Sequence, residues 1–414
     1  MRKRFDLPLL FAAIAVFGPG IVAAQDEIPG KVRLYGFVRN DVLFDSREVD
    51  TDPEEPYFFM PGGTTLVGEV DQNAVPSLRM LALTSRLGVK VSGYQIGETK
   101  VTGTIEGDFF VSSGSTATFR MRQAYMGLLW DNLELGDLLM NVGQTWHPMA
   151  ADMPHMNNLE TGAPFNPFNR SPQVMADVKL NGHFSFTGGF LYLNHYLPVG
   201  PSGKSKDYYK YGLPEVYLGV TYKNGPFVGK AGLDMVNSKP YNLYDNRKAK
   251  GYLTTFSPFL FGQYTKGLFQ LRAKTILAQS GEHMNLLSGY GVCDYESTSN
   301  TFSYTPMQDW ASFVSVQYGK KVQFLGMAGY MKQLGTTKDL SGELWLNTAA
   351  DAKITEALRF TPTVAWNIGK FTVSLEYNIT TARFGEGVRD ARGLFEDGKW
   401  ITNHRFICMT KFNF

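Results

Sequence analysis

The sequence predicts an all-β fold, a transmembrane antiparallel β-barrel of about 16 strands. Three observations carry this: the period of the last strand, a basic-headed leader, and connections that alternate between short and long. The final fifteen residues alternate, with Trp400, Thr402, His404, Phe406, Cys408, Thr410, Phe412 and Phe414 on one parity. Ile401, Asn403, Arg405, Ile407, Met409, Lys411 and Asn413 take the other. A two-residue period that closes on an aromatic residue, in an exported chain, addresses the barrel to the Gram-negative outer membrane. There the terminal strand ending at Phe414 meets the barrel-assembly machinery, and lipid and lipopolysaccharide surround the wall. Phe406, Phe412 and Phe414 face out, while Arg405 and Lys411 fall on the inward parity.

The leader is residues 1–24, a signal peptide, and residues 25–414 form a single barrel domain. Arg2, Lys3 and Arg4 make a basic head, Leu7 to Val22 a mostly apolar stretch, and Val22-Ala23-Ala24 a small-residue cleavage site. Pro8, Gly18, Pro19 and Gly20 interrupt that stretch, which therefore falls short of the roughly 20 apolar residues a membrane helix needs. Taking the leader away leaves 37 basic and 37 acidic residues, a formally neutral chain that argues against nucleic-acid binding. A mean hydropathy of -0.18 with 14% aromatic residues is too polar for transmembrane helices, whereas a β-barrel needs only every second residue to be apolar.

Seven short connections are expected near Ser92 to Gly97, Asp131-Asn132, Asn181-Gly182, Asn224-Gly225, Lys266-Gly267, Gly319-Lys320 and Ile368-Gly369, many with tight-turn chemistry. Eight longer ones fall at Arg47 to Ser77, Ser112 to Thr116, Trp146 to Pro172, Val199 to Leu213, Ser238 to Lys248, Ser280 to Thr305, Thr336 to Asp351 and Gly385 to Gly398. Together they separate sixteen strands with both termini on the periplasmic side. Strand-like sequence begins at Lys31, which leaves no N-terminal plug and implies passive transport.

Alternation sets direction. Leu81, Leu83, Leu87, Val89 and Val91 share a parity opposite Thr84, Arg86 and Lys90; Val101, Ile105, Phe109 and Val111 oppose Lys100, Thr102, Thr104, Glu106 and Asp108. Phe371, Val373, Leu375, Tyr377 and Ile379 likewise oppose Thr372, Ser374, Glu376 and Asn378. A soluble sandwich would alternate in the same way, so chain length and leader decide between the two. The pattern breaks over residues 133–145, at Gln123 and at Pro362, which marks either subunit-contact strands or slips of register. Arg or Lys on the lipid face near the midplane costs about 2 to 4 kcal/mol. Arg86, Lys90, Arg120 and Arg122 therefore point into the lumen, and by the same parity so do Arg39, Arg272, Lys274, Arg359 and Arg405. Inward acids are fewer, namely Asp41, Glu106, Asp108 and Glu376, so the lumen favours small anionic solutes, with neutral ones also admitted.

Four segments in order, Ser85-Arg86-Leu87-Gly88-Val89-Lys90, Gly103-Thr104-Ile105-Glu106-Gly107-Asp108-Phe109, Arg120-Met121-Arg122-Gln123-Ala124-Tyr125-Met126-Gly127-Leu128 and Val142-Gly143-Gln144-Thr145, resemble the early strands of the Gram-negative trimeric porin superfamily. Arg33-Leu34-Tyr35-Gly36-Phe37-Val38-Arg39-Asn40-Asp41 and Gln144-Thr145-Trp146-His147-Pro148 resemble most its dicarboxylate-porin (DcaP-like) branch. The resemblance implies a water-filled homotrimeric barrel whose third extracellular loop folds inward. It implies dicarboxylates as solutes, a basic ladder containing Arg86 and Arg122 with Glu106 nearby, and loop candidates Asp152, His155, Glu160, Asn166, Asn169 and Arg170 at the constriction. The chain lacks the Pro-Glu-Phe-Gly-Gly constriction motif of the general porins, and its short second loop leaves no room for their trimer latch.

Other chemistries find little support. The six histidines, at positions 147, 155, 183, 195, 283 and 404, show no ligand spacing, so no metal and no cofactor is expected. The run Asp45, Glu48, Asp50, Asp52, Glu54, Glu55 lacks calcium-loop spacing and is expected to be a solvated outer face, with cation bridging to lipopolysaccharide phosphates as the lesser option. Cys293, in a loop, and Cys408, mid-strand and outward, are expected as free thiols. A barrel hydrolase would need a nucleophile beside a His, and neither Ser312 nor His404 sits in such a motif. A closed barrel serving as adhesin or anchor remains the structural alternative, against which stands the number of inward charges.

Overall fold

The computed structural model describes the chain outside residues 1–29, 51–59, 111–116, 181, 194–199, 202, 204–212 and 348–352. The expected leader, Asp52, Glu54, Glu55, the second long connection and His195 lie outside the described residues.

Sixteen antiparallel strands form a closed barrel: β1 Lys31–Asp45, β2 in two pieces (Ser77–Leu81 and Arg86–Ile96), β3 Thr99–Phe110, β4 Thr118–Leu133, β5 Gly136–Trp146, β6 Arg170–Lys179, β7 Phe184–Leu191 and β8 Glu215–Asn224. The second half comprises β9 Phe227–Ser238, β10 Leu253–Lys266, β11 Phe269–Gln279, β12 Thr301–Gly319, β13 Val322–Thr336, β14 Ile354–Ile368, β15 Phe371–Arg389 and β16 Phe395–Asn413. Closure runs from Phe37 opposite Asn413 to Asp45 opposite Arg405, so no sheet edge is left open. Phe414 completes it, donating its N–H to the Gly36 carbonyl at 3.1 Å and accepting the Gly36 N–H at 3.4 Å.

Short and long connections alternate as the turn residues foretell. Gly97, Gly225, Gly267 and Gly369 occupy the tight turns with φ between 54° and 62°, a left-handed backbone that costs glycine little. At the far ends, the sixth long connection carries one 3-10 turn, Glu282–Met284, and a strand, Gly289–Glu296, which pairs with β12 and with Leu344–Leu346 of the seventh. Cys293 lies in that strand rather than in irregular loop, and both cysteines are free.

The two faces are inverted relative to a soluble sandwich. Val32, Leu34, Ile105, Phe119, Leu218, Leu260, Phe324 and Phe360 stand exposed around the outside, while Asp41, Asp45, Glu106, Asp108, Arg122, Lys274, Arg359, Glu376 and Arg405 are buried within. That arrangement suits hydrocarbon outside and a polar interior. Pro362 projects outward from β14, where it sits opposite Gly326 of β13.

Register corrects the sequence expectation at three places. Between residues 82 and 85 the second strand breaks, with Thr84 at φ 70°, so that Asp41 faces Leu81 but Phe37 faces Arg86, one residue out of step. Leu81, expected on the lipid face, therefore points inward and packs with Leu43, Ile407 and Met409. In β4 a bulge places Gln123 opposite Glu106 and Met121 opposite Gly107, leaving Arg122 as the extra residue. Gln123 is thus an inward side chain, and its apparent misfit on the apolar parity disappears. A further irregularity between Gly136 and Leu138 explains the poor alternation after residue 133; β4 runs on to Leu133, past the expected Asp131-Asn132 turn.

Candidate functional site

The third long connection, residues 147–169 (L3), crosses the lumen. Its sequence is rich in Pro and Asn, which cannot extend a central strand, and carries Met149, Phe165 and Phe168, which need apolar cover. All three apolar side chains are buried. Phe165 fits over Gly329 of β13, where a Cβ would lie 2.5 Å from its ring. Polar anchors then tie L3 to strands around the circumference. Lys230 of β9 pairs with Asp152 at 2.5 Å; Lys274 of β11 donates to the Met149 and Ala151 carbonyls and to Asn166 Oδ1. Arg272 holds the Met153 carbonyl, and Ser315 of β12 accepts the His155 N–H. Arg359 of β14 pairs with Glu160 at 2.6 Å, Glu376 of β15 accepts the N–H groups of Asn157 and Asn158, and Arg405 of β16 donates to Asn158. Arg39 of β1 closes the circle on the Asn157 carbonyl at 2.6 Å.

Opposite the loop, β1 to β4 build a wall of interlocked charges. Arg122 reaches Glu106 at 3.1 Å and Asp108 at 2.7 Å; Arg120 reaches Asp108 at 2.7 Å, Arg86 reaches Glu106 at 3.6 Å, and Arg39 reaches Asp41 at 2.8 Å. Tyr35 and Gln123 also donate to Glu106, so the carboxylates are held from several sides. Exposure separates the two signs. The side chains of Arg39, Arg86 and Arg120 are 13%, 25% and 18% exposed, whereas Asp41 and Asp108 are at 0% and Glu106 at 6%. Arg122, at 5%, is as buried as the acids it holds, so the accessible charge of the wall comes from Arg39, Arg86 and Arg120.

Between wall and loop is a cavity of about 300 Å³ lined on one side by Arg39, Arg86, Asp108 and Arg122 and on the other by Met153, Met156, Asn157, Asn158 and Leu159. Trp146 borders it, with Arg122 and Arg170 over its ring at 5.6 and 5.0 Å. Glu160, Asp152 and His155 do not line this space. Burial pushes Glu160 up to about 7 against the pull of Arg359, and burial, aided by Arg272, holds His155 below its ordinary value.

No family model matches the sequence, and no curated protein matches it. Solved structures do. The outer membrane channel DcaP of Acinetobacter baumannii superposes with a TM-score of 0.66 at 19% identity, covering 93% of this chain and 97% of that one. The fold is that of the Gram-negative porins. An anion-selective porin from Comamonas acidovorans has a TM-score of 0.56 at 12% identity, over 93% of this chain and 100% of that one. OmpT of Vibrio cholerae, in a trimer form, gives 0.53 at 13%, over 93% and 99%.

Within this porin fold the sequence candidates divide. Arg39, Arg86 and Arg122 border the cavity; Arg120 and Glu106 belong to the same ion-pair lattice, and Lys90 sits over the Tyr35 ring. Arg272, Lys274 and Arg359 point inward as their parity requires, but they hold L3. Asn166 receives Lys274, Asn169 binds the His283 carbonyl, and Arg170 stacks at the cavity rim. Ser312 sits among the lining residues of an outer-surface groove, and His404 is outward beside Tyr377, so the two do not form a nucleophile and base pair. Sequence reasoning missed Tyr35, Trp146 and Gly329. Aromatic residues on inward parities were the available signal for the first; nothing local marks a glycine as the seat of a phenylalanine from another segment.

Proposed function

We propose that the chain is an outer-membrane porin through which small hydrophilic solutes diffuse passively, with anions, dicarboxylates among them, favoured. One observation carries the preference: Arg39, Arg86 and Arg122 border the cavity against a single carboxylate, Asp108, which is itself held by Arg120 and Arg122, while Asp41 and Glu106 do not line it. Fixed positive charge in a narrow, weakly screened space raises the local concentration of anions. The loop acids that could reverse the sign are neutralised away from the cavity, Asp152 on Lys230 and Glu160 on Arg359. Two carboxylates on one small molecule match several guanidinium forks set around one space. The Comamonas structure, described as an anion-selective porin, supports the same direction.

We further propose export by the segment 1–24 and assembly as a homotrimer, supported by the trimer form of the Vibrio protein. Transport is passive and the chain is not an enzyme. The test is conductance of the refolded protein in planar bilayers under a salt gradient, with liposome swelling by a dicarboxylate, a neutral sugar and a cationic amino acid. Stepped conductance with an anion-selective reversal potential and fastest swelling with the dicarboxylate is expected. Cation selectivity overturns the preference; no conductance leaves a barrel that acts as adhesin or anchor.

A further inference from the structure

Away from the charged wall, four side chains from four segments converge at the root of L3. They are His147 at its first position, His283 in the 3-10 turn of the sixth long connection, Glu215 at the head of β8 and Asp234 on β9. All four are 1% exposed or less. Among the described residues, the ion-pair partners of Glu215 and Asp234 are these two histidines, with no Lys or Arg within reach.

The hydrogen bonds divide the cluster. His147 Nδ1 accepts the Met149 backbone N–H at 3.1 Å, which places the ring proton on Nε2, and Nε2 donates to Glu215 Oε1. Glu215 Oε2, both carboxylate oxygens of Asp234 and both ring nitrogens of His283 are buried with no hydrogen-bond partner. Buried carboxylates are ordinarily paired or coordinate a metal ion. Spacing fits the second outcome. His283 Nε2 is 3.6 Å from Asp234 Oδ2 and 3.8 Å from Glu215 Oε1, and the two carboxylates offer donor atoms within 4.8 Å of each other. Bonds of about 2.0–2.2 Å around a tetrahedral ion bring ligand atoms to roughly 3.3 Å, so the histidine contacts close by a few tenths of an ångström and the carboxylate pair by at most about 1.5 Å.

We propose that Glu215, Asp234 and His283 form a binding site for a divalent first-row transition ion, Zn²⁺ by preference, with His147 orienting Glu215 from behind. Two carboxylates and a dication sum to no net charge in a dry space, and one imidazole with two carboxylates suits Zn²⁺. Ligating carboxylates are themselves held by hydrogen bonds from outside the ligand set, the role His147 takes toward Glu215. The site would fasten both ends of L3. His147 opens the loop, and at its close Phe168 donates to the Met284 carbonyl at 2.9 Å and Asn169 to the His283 carbonyl at 2.6 Å.

The test uses the detergent-solubilised full chain, stripped with a chelator, passed over a desalting column and titrated with Zn²⁺, with metal content and thermal unfolding as readouts. One Zn²⁺ per chain and a melting temperature several degrees higher are expected, and Co²⁺ loading should give the visible bands of a tetrahedral site. D234N and H283N should each weaken binding at least 100-fold, whereas H147N, which keeps all three ligands, should weaken it about 10- to 100-fold. A stripped wild-type chain that takes up neither Zn²⁺ nor Co²⁺ and melts unchanged overturns the proposal. So does full stoichiometry in D234N, which would place the metal on other groups.

Discussion

Replacing Arg86 by glutamine isolates the charge wall with little structural disturbance, because Glu106 keeps Arg122 at 3.1 Å together with the Gln123 and Tyr35 donors. Arg86 is the most exposed of the arginines paired on that wall and borders the cavity. An ion in a space of about 300 Å³ lies on the order of 5 Å from the guanidinium, where a unit charge is worth about 0.8 kcal/mol in bulk water and about 3 kcal/mol at an effective dielectric of 20. Partial exposure favours the lower figure, and screening at 0.1 M salt, with a Debye length of about 10 Å, trims it by roughly a third to a half. An anion then loses, and a cation gains, about 0.4 to 0.5 kcal/mol. The anion-to-cation permeability ratio should fall roughly fivefold, read from the reversal potential in planar bilayers under a tenfold KCl gradient. A ratio within twofold of wild type, at unaltered conductance, would refute the reasoning by showing that solutes pass where this wall does not govern them.

Three further outcomes are expected. Gly329→Val puts a side chain where the Phe165 ring sits, an overpacking worth about 1 to 3 kcal/mol, and should unseat L3, raising single-channel conductance and lowering the melting temperature; unchanged values for both would mean that Phe165 does not hold the loop. Glu160 has a folded value of about 7, above the ordinary 4.5, so it favours folding most when protonated, and the stability it supplies is present below about pH 4.5 and lost as pH rises through 7. That is at most about 3 kcal/mol, and Glu160→Gln should flatten this part of the pH profile; identical profiles for the two proteins would count against it. Deleting Phe414 removes the two hydrogen bonds to Gly36 that finish the closing seam, about 1 to 3 kcal/mol together, and should lower the heat at which the barrel unfolds on a semi-native gel, with equal resistance as the contrary result.

The strand count was legible because two kinds of local chemistry agree: tight-turn pairs such as Asn224-Gly225 and Lys266-Gly267 mark one rim, and the two-residue period fills the spans between. Signs of charge were legible too, since Asp41, Glu106, Asp108 and Glu376 are all turned inward and buried. Register within long strands was not, because the break at residues 82–85 and the extra Arg122 each shift the parity that a linear count assumes. Nor was the use of each inward charge. Arg359 and Glu160 are 199 residues apart, and nothing near either says that one is spent on the other. The histidines fail to show for the same reason: ligand spacing is a signal of one segment, and His147, Glu215, Asp234 and His283 come from four.

The bulge in β4 leaves Arg122 outside the count of paired residues. Ladder pairing holds on both sides of it, Glu106 with Gln123 and Gly107 with Met121, and the Gln144 side chain takes the Arg122 and Met121 carbonyls at 3.1 and 3.4 Å. The backbone ladder therefore does not need this residue, yet its side chain joins Glu106 to Asp108 at 3.1 and 2.7 Å. A single-codon exchange there would rewrite the charge at the cavity and release both carboxylates while leaving the strand pairing in place, so electrostatics and fold are separable at this one position of β4.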